Sequence, residues 1–251
     1  MDLHNKRIVI TRPREQAGAF AQQIAAVGAV PVFLPVIEIQ PLADAVILDR
    51  ALSKLACYDW VVFTSANGVE AVWERLAELG QPGLPEGLQV AAIGPKTAAA
   101  LQQRGVKPDF VPDEYIAEAI LPGLGDVRGR WVLLPRADLA RPALPLAIIA
   151  AGGVAHEIAA YHTIPAEPDL AGLQALREGV DIITFTSSST VRNFVALAHG
   201  AGLDPQNLPA QPHLACIGPI TASTAAEEGL PVDLVADEYT IEGLLAALVA
   251  A

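Results

Sequence analysis

Basic residues are scarce in this chain. Lys and Arg number 16 against 28 Asp and Glu, a formal net charge of -12 over 251 residues. Phosphate backbones need a basic footprint, so nucleic acid is a poor partner. Anionic membrane surfaces are excluded on the same ground. Beyond Arg192 there is no Lys or Arg at all, while Asp204, Glu227, Glu228, Asp233, Asp237, Glu238 and Glu242 follow. An anion bound by that end must be held by backbone N–H groups and hydroxyls. Cysteine is equally sparse: Cys57 and Cys216 have no C-x-x-C spacing and read as two buried thiols. The five histidines form no H-x-x-x-H and no Cys/His cluster, so no metal site is expected. No apolar run is long enough to span a bilayer; the longest, around residues 143–155, contains Pro145, Gly152 and Gly153. The N-terminus lacks a basic region followed by a long apolar one, so a cytoplasmic protein is expected. Several motifs are also missing: a P-loop, a G-x-G-x-x-G fingerprint and a G-x-S-x-G elbow.

What is present is a duplication. Phe63-Thr64-Ser65-Ala66 returns as Phe185-Thr186-Ser187-Ser188, 122 residues on. Ala92-Ile93-Gly94-Pro95-Lys96-Thr97 returns as Cys216-Ile217-Gly218-Pro219-Ile220-Thr221, 124 residues on. Asp113-Glu114-Tyr115 returns as Asp237-Glu238-Tyr239, and Arg12 and Gly28 fall on Arg136 and Gly152 at the same spacing. Two halves therefore share one ground plan.

Each half alternates short β-branched runs with amphipathic stretches of helical length. Residues 7–11, 30–34, 60–63 and 89–93 have no strict alternation, which suits strands covered on both faces of a parallel sheet. Residues 15–27 and 69–79 read as helices, with Gly28 and Gly80 as C-terminal stops. The fold class is α/β: two similar lobes, each a parallel sheet flanked by helices. Two extended, proline-bounded segments, residues 35–41 and 159–165, occupy matching places and read as connectors rather than core strands.

Four turns share one design, in which an apolar strand ends, small polar residues follow and a helix begins. They are 64–68, 94–97, 186–190 and 218–221. The candidates for ligand contact there are Ser65, Ala66, Asn67, Gly94, Thr97, Ser187, Ser188, Gly218 and Thr221. Small residues admit a ligand to the backbone; hydroxyls cap the first turn; the remaining amides and the helix dipole favour anions. Simple N-capping explains any one of these turns equally well, and four matched turns make it a poorer account of the set. Arg12 and Arg136 stand out among the arginines because each follows a first strand at matching repeat positions. Arg128, Arg130 and Arg141 read as solvated surface, and so does His162. Tyr161 lies in the second connector, either packing there or supplying a phenol. No nucleophile–base pair is visible.

In order along the chain stand Ile10-Thr11-Arg12-Pro13, Phe63-Thr64-Ser65-Ala66-Asn67-Gly68-Val69, Ala92-Ile93-Gly94-Pro95 with Thr97, and Leu134-Pro135-Arg136. Tyr161-His162-Thr163, Phe185-Thr186-Ser187 and Ile217-Gly218-Pro219-Ile220-Thr221 follow. Together with the duplication, this series resembles the uroporphyrinogen-III synthase family over almost the whole chain. The resemblance implies two lobes joined by a two-stranded connector. The first lobe would be discontinuous, 1–35 plus 167–251; the second would be 42–160; the connectors would be 36–41 and 161–166. It implies hydroxymethylbilane as substrate and uroporphyrinogen III as product, with loss of water and inversion of ring D. It implies no cofactor, a monomer, and Tyr161 as the candidate catalytic residue assisting hydroxyl departure. Holding a flexible polyanion in a bent shape is catalysis by positioning, which local donors on an acidic chain can perform. Two competing readings remain: a cytosolic two-lobed small-anion-binding protein without catalysis, and a phosphosugar enzyme, for which no basic or metal-assisted phosphate site is found.

Overall fold

The computed structural model describes residues 2–114, 119–138 and 140–251. The chain divides into two compact units, residues 1–38 with 164–251, and residues 39–163. Each is built on one five-stranded sheet.

The first unit holds β1 (Arg7–Ile10), β2 (Val30–Phe33), β8 (Ile182–Phe185), β9 (His213–Cys216) and β10 (Leu234–Val235), in the order β10-β9-β8-β1-β2. Its pairings are parallel throughout. The register of β1 with β8 sets Ile8 opposite Ile182 and Ile10 opposite Thr184. The second sheet holds β3 (Ile37–Pro41), β4 (Trp60–Phe63), β5 (Gln89–Ala92), β6 (Trp131–Ala137) and β7 (Val154–Pro165), in the order β3-β7-β6-β4-β5. Here β4–β5, β4–β6 and β6–β7 are parallel. The repeats are visible in these orders: β9-β8-β1-β2 matches β5-β4-β6-β7, so each sheet draws strands from both halves of the chain.

Helices cover both faces of each sheet. In the second unit, Val61 and Phe63 enter one apolar cluster, with Val69, Val72 and Leu76 of α3 (Ala66–Glu78) and Leu101 of α4 (Pro95–Gln103). Trp60 and Val62 enter the opposite cluster, with Leu144 and Ile148 of α5 (Ala143–Ala150). All four residues of β4 are buried, which is why the run carries no polar alternation. The first unit repeats the plan. Val9, Ile183 and Phe185 face Val191 and Phe194 of α7 (Ser188–Gly200), while Ile8, Ile10 and Ile182 face Phe20 and Ile24 of α1 (Arg14–Ala26). Each such side chain contributes about 1.5–3 kcal/mol when fully buried. The remaining helices are α2 (Val46–Leu52), α6 (Leu170–Glu178), α8 (Pro219–Glu227) and α9 (Ile241–Ala250).

Three expectations are corrected. Helix α3 begins at Ala66, three residues before the apolar period starts, because Ser65 caps it: its Oγ accepts from the Gly68 amide at 3.0 Å. The two proline-bounded segments are not outside the sheets. The first supplies β3; the second is the end of β7, a continuous strand whose Ala159 and Tyr161 pair with β6. Proline explains the asymmetry. Pro35 has no N–H and separates β2 from β3, whereas its repeat partner is Ala159, which leaves β7 unbroken. Finally, Cys216 is buried but Cys57 is exposed, because residues 55–57 form a short 3-10 turn rather than part of a strand. Tyr115, in the first Asp-Glu-Tyr copy, lies outside the described residues. The second copy leads into α9, whose N-cap is Thr240.

Candidate functional site

In the second unit, the strand ends gather Ser65, Asn67, Arg136 and Tyr161. The Tyr161 hydroxyl lies 3.0 Å from Ser65 Oγ, and its ring is only 6% exposed. Burial pushes the phenol above its ordinary pKa; hydrogen bonding from Ser65 and Asn67 and the charge of Arg136 pull it down, and Asp138 raises it. The phenol therefore stays protonated at neutral pH and can donate a hydrogen bond. The α3 N-terminus comes close to β6, since a Cβ on Gly68 would lie 3.0 Å from the Pro135 carbonyl oxygen. That approach brings Ser65 to the phenol.

Arg136 is 4% exposed. Its guanidinium donates to Glu157 at 2.6 Å and to the Arg141 carbonyl at 2.7 Å, while its Nε finds no partner among the described residues. Arg128 and Arg130 are exposed and pair with Asp126 and Asp59. Gly94 caps α4, and Pro95 follows at the first helical position. Glycine has no side chain to cap with, so Thr97 sits inside the first turn, 3% exposed, and is not a cap. The same correction applies to Thr221, 5% exposed, behind Gly218. Gly218 also lies against the Tyr239 ring, where a Cβ would stand 3.1 Å from a ring carbon.

In the first unit, Ser187 caps α7 in a reciprocal box with Thr190 and reaches Ser189 Oγ at 2.9 Å. Ser188 Oγ and Thr224 Oγ1 are 2.7 Å apart. Arg12, 8% exposed, donates to Gln16 at 3.0 Å, and its Nε is buried without a partner among the described residues. Burial lowers its pKa, opposed by the charge of Glu242. A buried, under-partnered guanidinium is costly unless an anion completes it.

Sequence reasoning missed Asp138, the first residue past β6. It bonds His162 Nδ1 at 2.8 Å and accepts from the Thr163 amide at 3.3 Å. His162 is thus a partnered residue beside Tyr161 rather than a free surface imidazole. Its position next to Tyr161 was the available signal; Asp138, 24 residues away, gave none. No group of three or more potential metal-ligating side chains occurs among the described residues. Nor, among those residues, is any helix long and apolar enough to cross a membrane.

Two helix-covered sheets, turns of small residues at their strand ends, and the buried Tyr161 phenol define a class: an α/β protein of two similarly built units. A family model for Uroporphyrinogen-III synthase HemD matches residues 18–246. The chain is 37% identical over 251 residues to the uroporphyrinogen-III synthase of Synechococcus elongatus, covering 98% of this chain and 95% of that protein. It is 30% identical over 249 residues to a putative uroporphyrinogen-III synthase of Methanothermobacter thermautotrophicus, covering 96% of each. A crystal structure of a mutant uroporphyrinogen III synthase from Thermus thermophilus superposes with a TM-score of 0.68 at 22% identity, covering 98% of both chains. One from Helicobacter pylori gives 0.62 at 20% identity, covering 98% of this chain and 99% of that one. At such identities the structural likeness speaks for the fold. The chain belongs to the uroporphyrinogen-III synthase family.

Proposed function

We propose that this protein is a uroporphyrinogen-III synthase, a cyclising lyase of tetrapyrrole (haem) biosynthesis. It takes hydroxymethylbilane, removes the hydroxyl as water, inverts ring D and closes the ring to uroporphyrinogen III. Membership of the family along the whole chain supports the activity. The observation that carries the mechanism is the buried Tyr161 phenol bonded to Ser65 at a strand end.

In this reading Tyr161 donates its proton, or a hydrogen bond, to the departing hydroxyl. Its raised pKa keeps that proton in place at neutral pH. Ser65 and Asn67 orient the phenol. Substrate carboxylates are received by the amides and hydroxyls at Ser65, Ala66, Asn67, Gly94, Thr97, Ser187, Ser188, Gly218 and Thr221, aided by the Arg12 and Arg136 guanidiniums. Water loss is driven by the electron-rich pyrrole, so positioning and charge placement suffice and no cofactor is required. Residues 36–41 and 161–166 act as the connectors between lobes, and the enzyme works as a cytoplasmic monomer. The test is to incubate the protein with hydroxymethylbilane and identify the ring isomer. Enzymatic closure gives isomer III, whereas spontaneous closure gives the symmetric isomer I. Isomer I alone would reduce the protein to an anion binder.

A further inference from the structure

We propose that Asp138 is the positioning residue for Tyr161: its carboxylate clamps the end of β7 and so holds the phenol against Ser65. The inference rests on the role given to Tyr161 above.

Strand β7 is irregular where it matters. Its partners on β6 run one to one from Trp131↔Val154 to Arg136↔Ala159, and then Ala137 pairs with Tyr161. Ala160 is therefore an extra residue, a bulge. Side chains along a regular strand alternate between faces, yet Ala160 and Tyr161 both enter the apolar cluster that also holds Ile158. The bulge re-aims Tyr161 toward the strand-end turn, as bulges beside active sites do. It also breaks the local ladder, and no glycine or proline at the bulge fixes its shape.

Asp138 supplies the missing restraint. Its amide donates to the Tyr161 carbonyl at 3.2 Å. Its Oδ1 accepts from the Thr163 amide at 3.3 Å, and its Oδ2 meets His162 Nδ1 at 2.8 Å. One residue thus grips three consecutive residues of β7. The groups that act on the phenol itself are Ser65, Asn67, Arg136 and Asp138, and the carboxylate is the one that favours retention of the proton. Its contribution is both geometric and electrostatic.

The experiment compares Asp138→Ala and Asp138→Asn, each with and without Tyr161→Phe. Asp138→Ala lowers kcat for isomer III roughly tenfold and changes KM less than about twofold. In the Tyr161→Phe background the same change alters kcat less than about twofold, because nothing is left to position. Asp138→Asn keeps an acceptor for the Thr163 amide and a partner for His162, and recovers kcat to within about threefold of wild type. A second readout is independent of activity: the phenol is titrated by ultraviolet difference against the matching Tyr161→Phe protein. Both Asp138 variants move the Tyr161 midpoint down, since a negative charge is removed. Equal kcat losses in the two backgrounds would overturn the proposal, as would an unmoved midpoint. If the wild-type protein forms no isomer III, the functional reading fails, and the phenol titration still decides the role of Asp138.

Discussion

Replacing Tyr161 by Phe removes one oxygen and leaves the ring in its buried place. That oxygen is bonded to Ser65 Oγ at 3.0 Å, and Ser65 Oγ also accepts from the Gly68 amide at 3.0 Å. The serine therefore keeps a partner in the variant. The structural cost is the phenol's hydrogen bonds to Ser65 and Asn67, about 1 kcal/mol each. For a unit of this size each kcal/mol lost lowers Tm by roughly 2–8 °C. The catalytic cost is separate. A donor aimed at the departing oxygen strengthens as charge develops there, and its loss should cost about 1–3 kcal/mol, or about 5–150-fold in rate. The assay follows the isomer III fraction and kcat with hydroxymethylbilane, alongside thermal melting. Tyr161→Phe should lower kcat within that range and raise the share of isomer I, because released substrate closes spontaneously. Turnover within about twofold of wild type, with unchanged Tm, would refute the reasoning and leave Tyr161 a packing residue.

Further outcomes follow from the same contacts. Arg12 is 8% exposed and its Nε has no partner among the described residues, so Arg12→Met should leave Tm unchanged or raise it while weakening product affinity; a large loss of Tm with normal affinity would contradict an anion role. Burial raises the Tyr161 pKa in the folded state. Its contribution to stability is therefore complete below the unfolded phenol value of about 10 and is lost as pH rises through the folded value. Wild-type Tm should fall more steeply than that of Tyr161→Phe across that alkaline window, and parallel curves would speak against the raised pKa. Cys57 is exposed, whereas burial pushes the Cys216 thiol up to about 12. A thiol reagent should label one cysteine in the native protein and two after unfolding, and Cys57→Ser should abolish the native reaction.

The strands were the legible part of the fold, and the reason is burial. A run such as Trp60–Phe63 is enclosed on both faces, so composition alone marks it. The stops at Gly28 and Gly80 were legible too, because both adopt the left-handed conformation that favours glycine, with φ of 81° and 68°. Helix starts were less so: apolar periodicity begins at Val69, but the helix begins where Ser65 satisfies the Gly68 amide. The bulge at Ala160 left no trace, since alanine is compatible with a regular strand. Asp138 was invisible for a different reason. Its partners lie 24 and 25 residues away, and only the pairing of β6 with β7 brings them together. Periodicity reports what a residue is buried by, not which distant polar group it meets.

The duplication makes the divergence between the halves informative. Arg12 and Arg136 occupy matching positions and share a buried Nε without a partner among the described residues, yet one donates to neutral Gln16 and the other to Glu157. Tyr161 falls on Ile37, which is 6% exposed and packs in the apolar cluster with Leu34 and Leu176. With no phenol at Ile37, the hydroxyl of Ser187 turns to Ser189, within its own helix turn. Its counterpart Ser65 bonds Tyr161 instead. Both copies keep a capped helix at the strand end, the feature that favours anions, but only one keeps a titratable donor there. On the proposed function, carboxylate binding is therefore a property of both units and proton donation a property of the second alone. Installing a phenol in the first unit by Ile37→Tyr should give no second catalytic centre. The uninterrupted β7 that allows the bulge in the second unit has no equivalent where Pro35 breaks the strand. If Ile37→Tyr restored isomer III formation to the Tyr161→Phe protein, the strand geometry would not be what singles out the second unit, and the argument from Pro35 would fall.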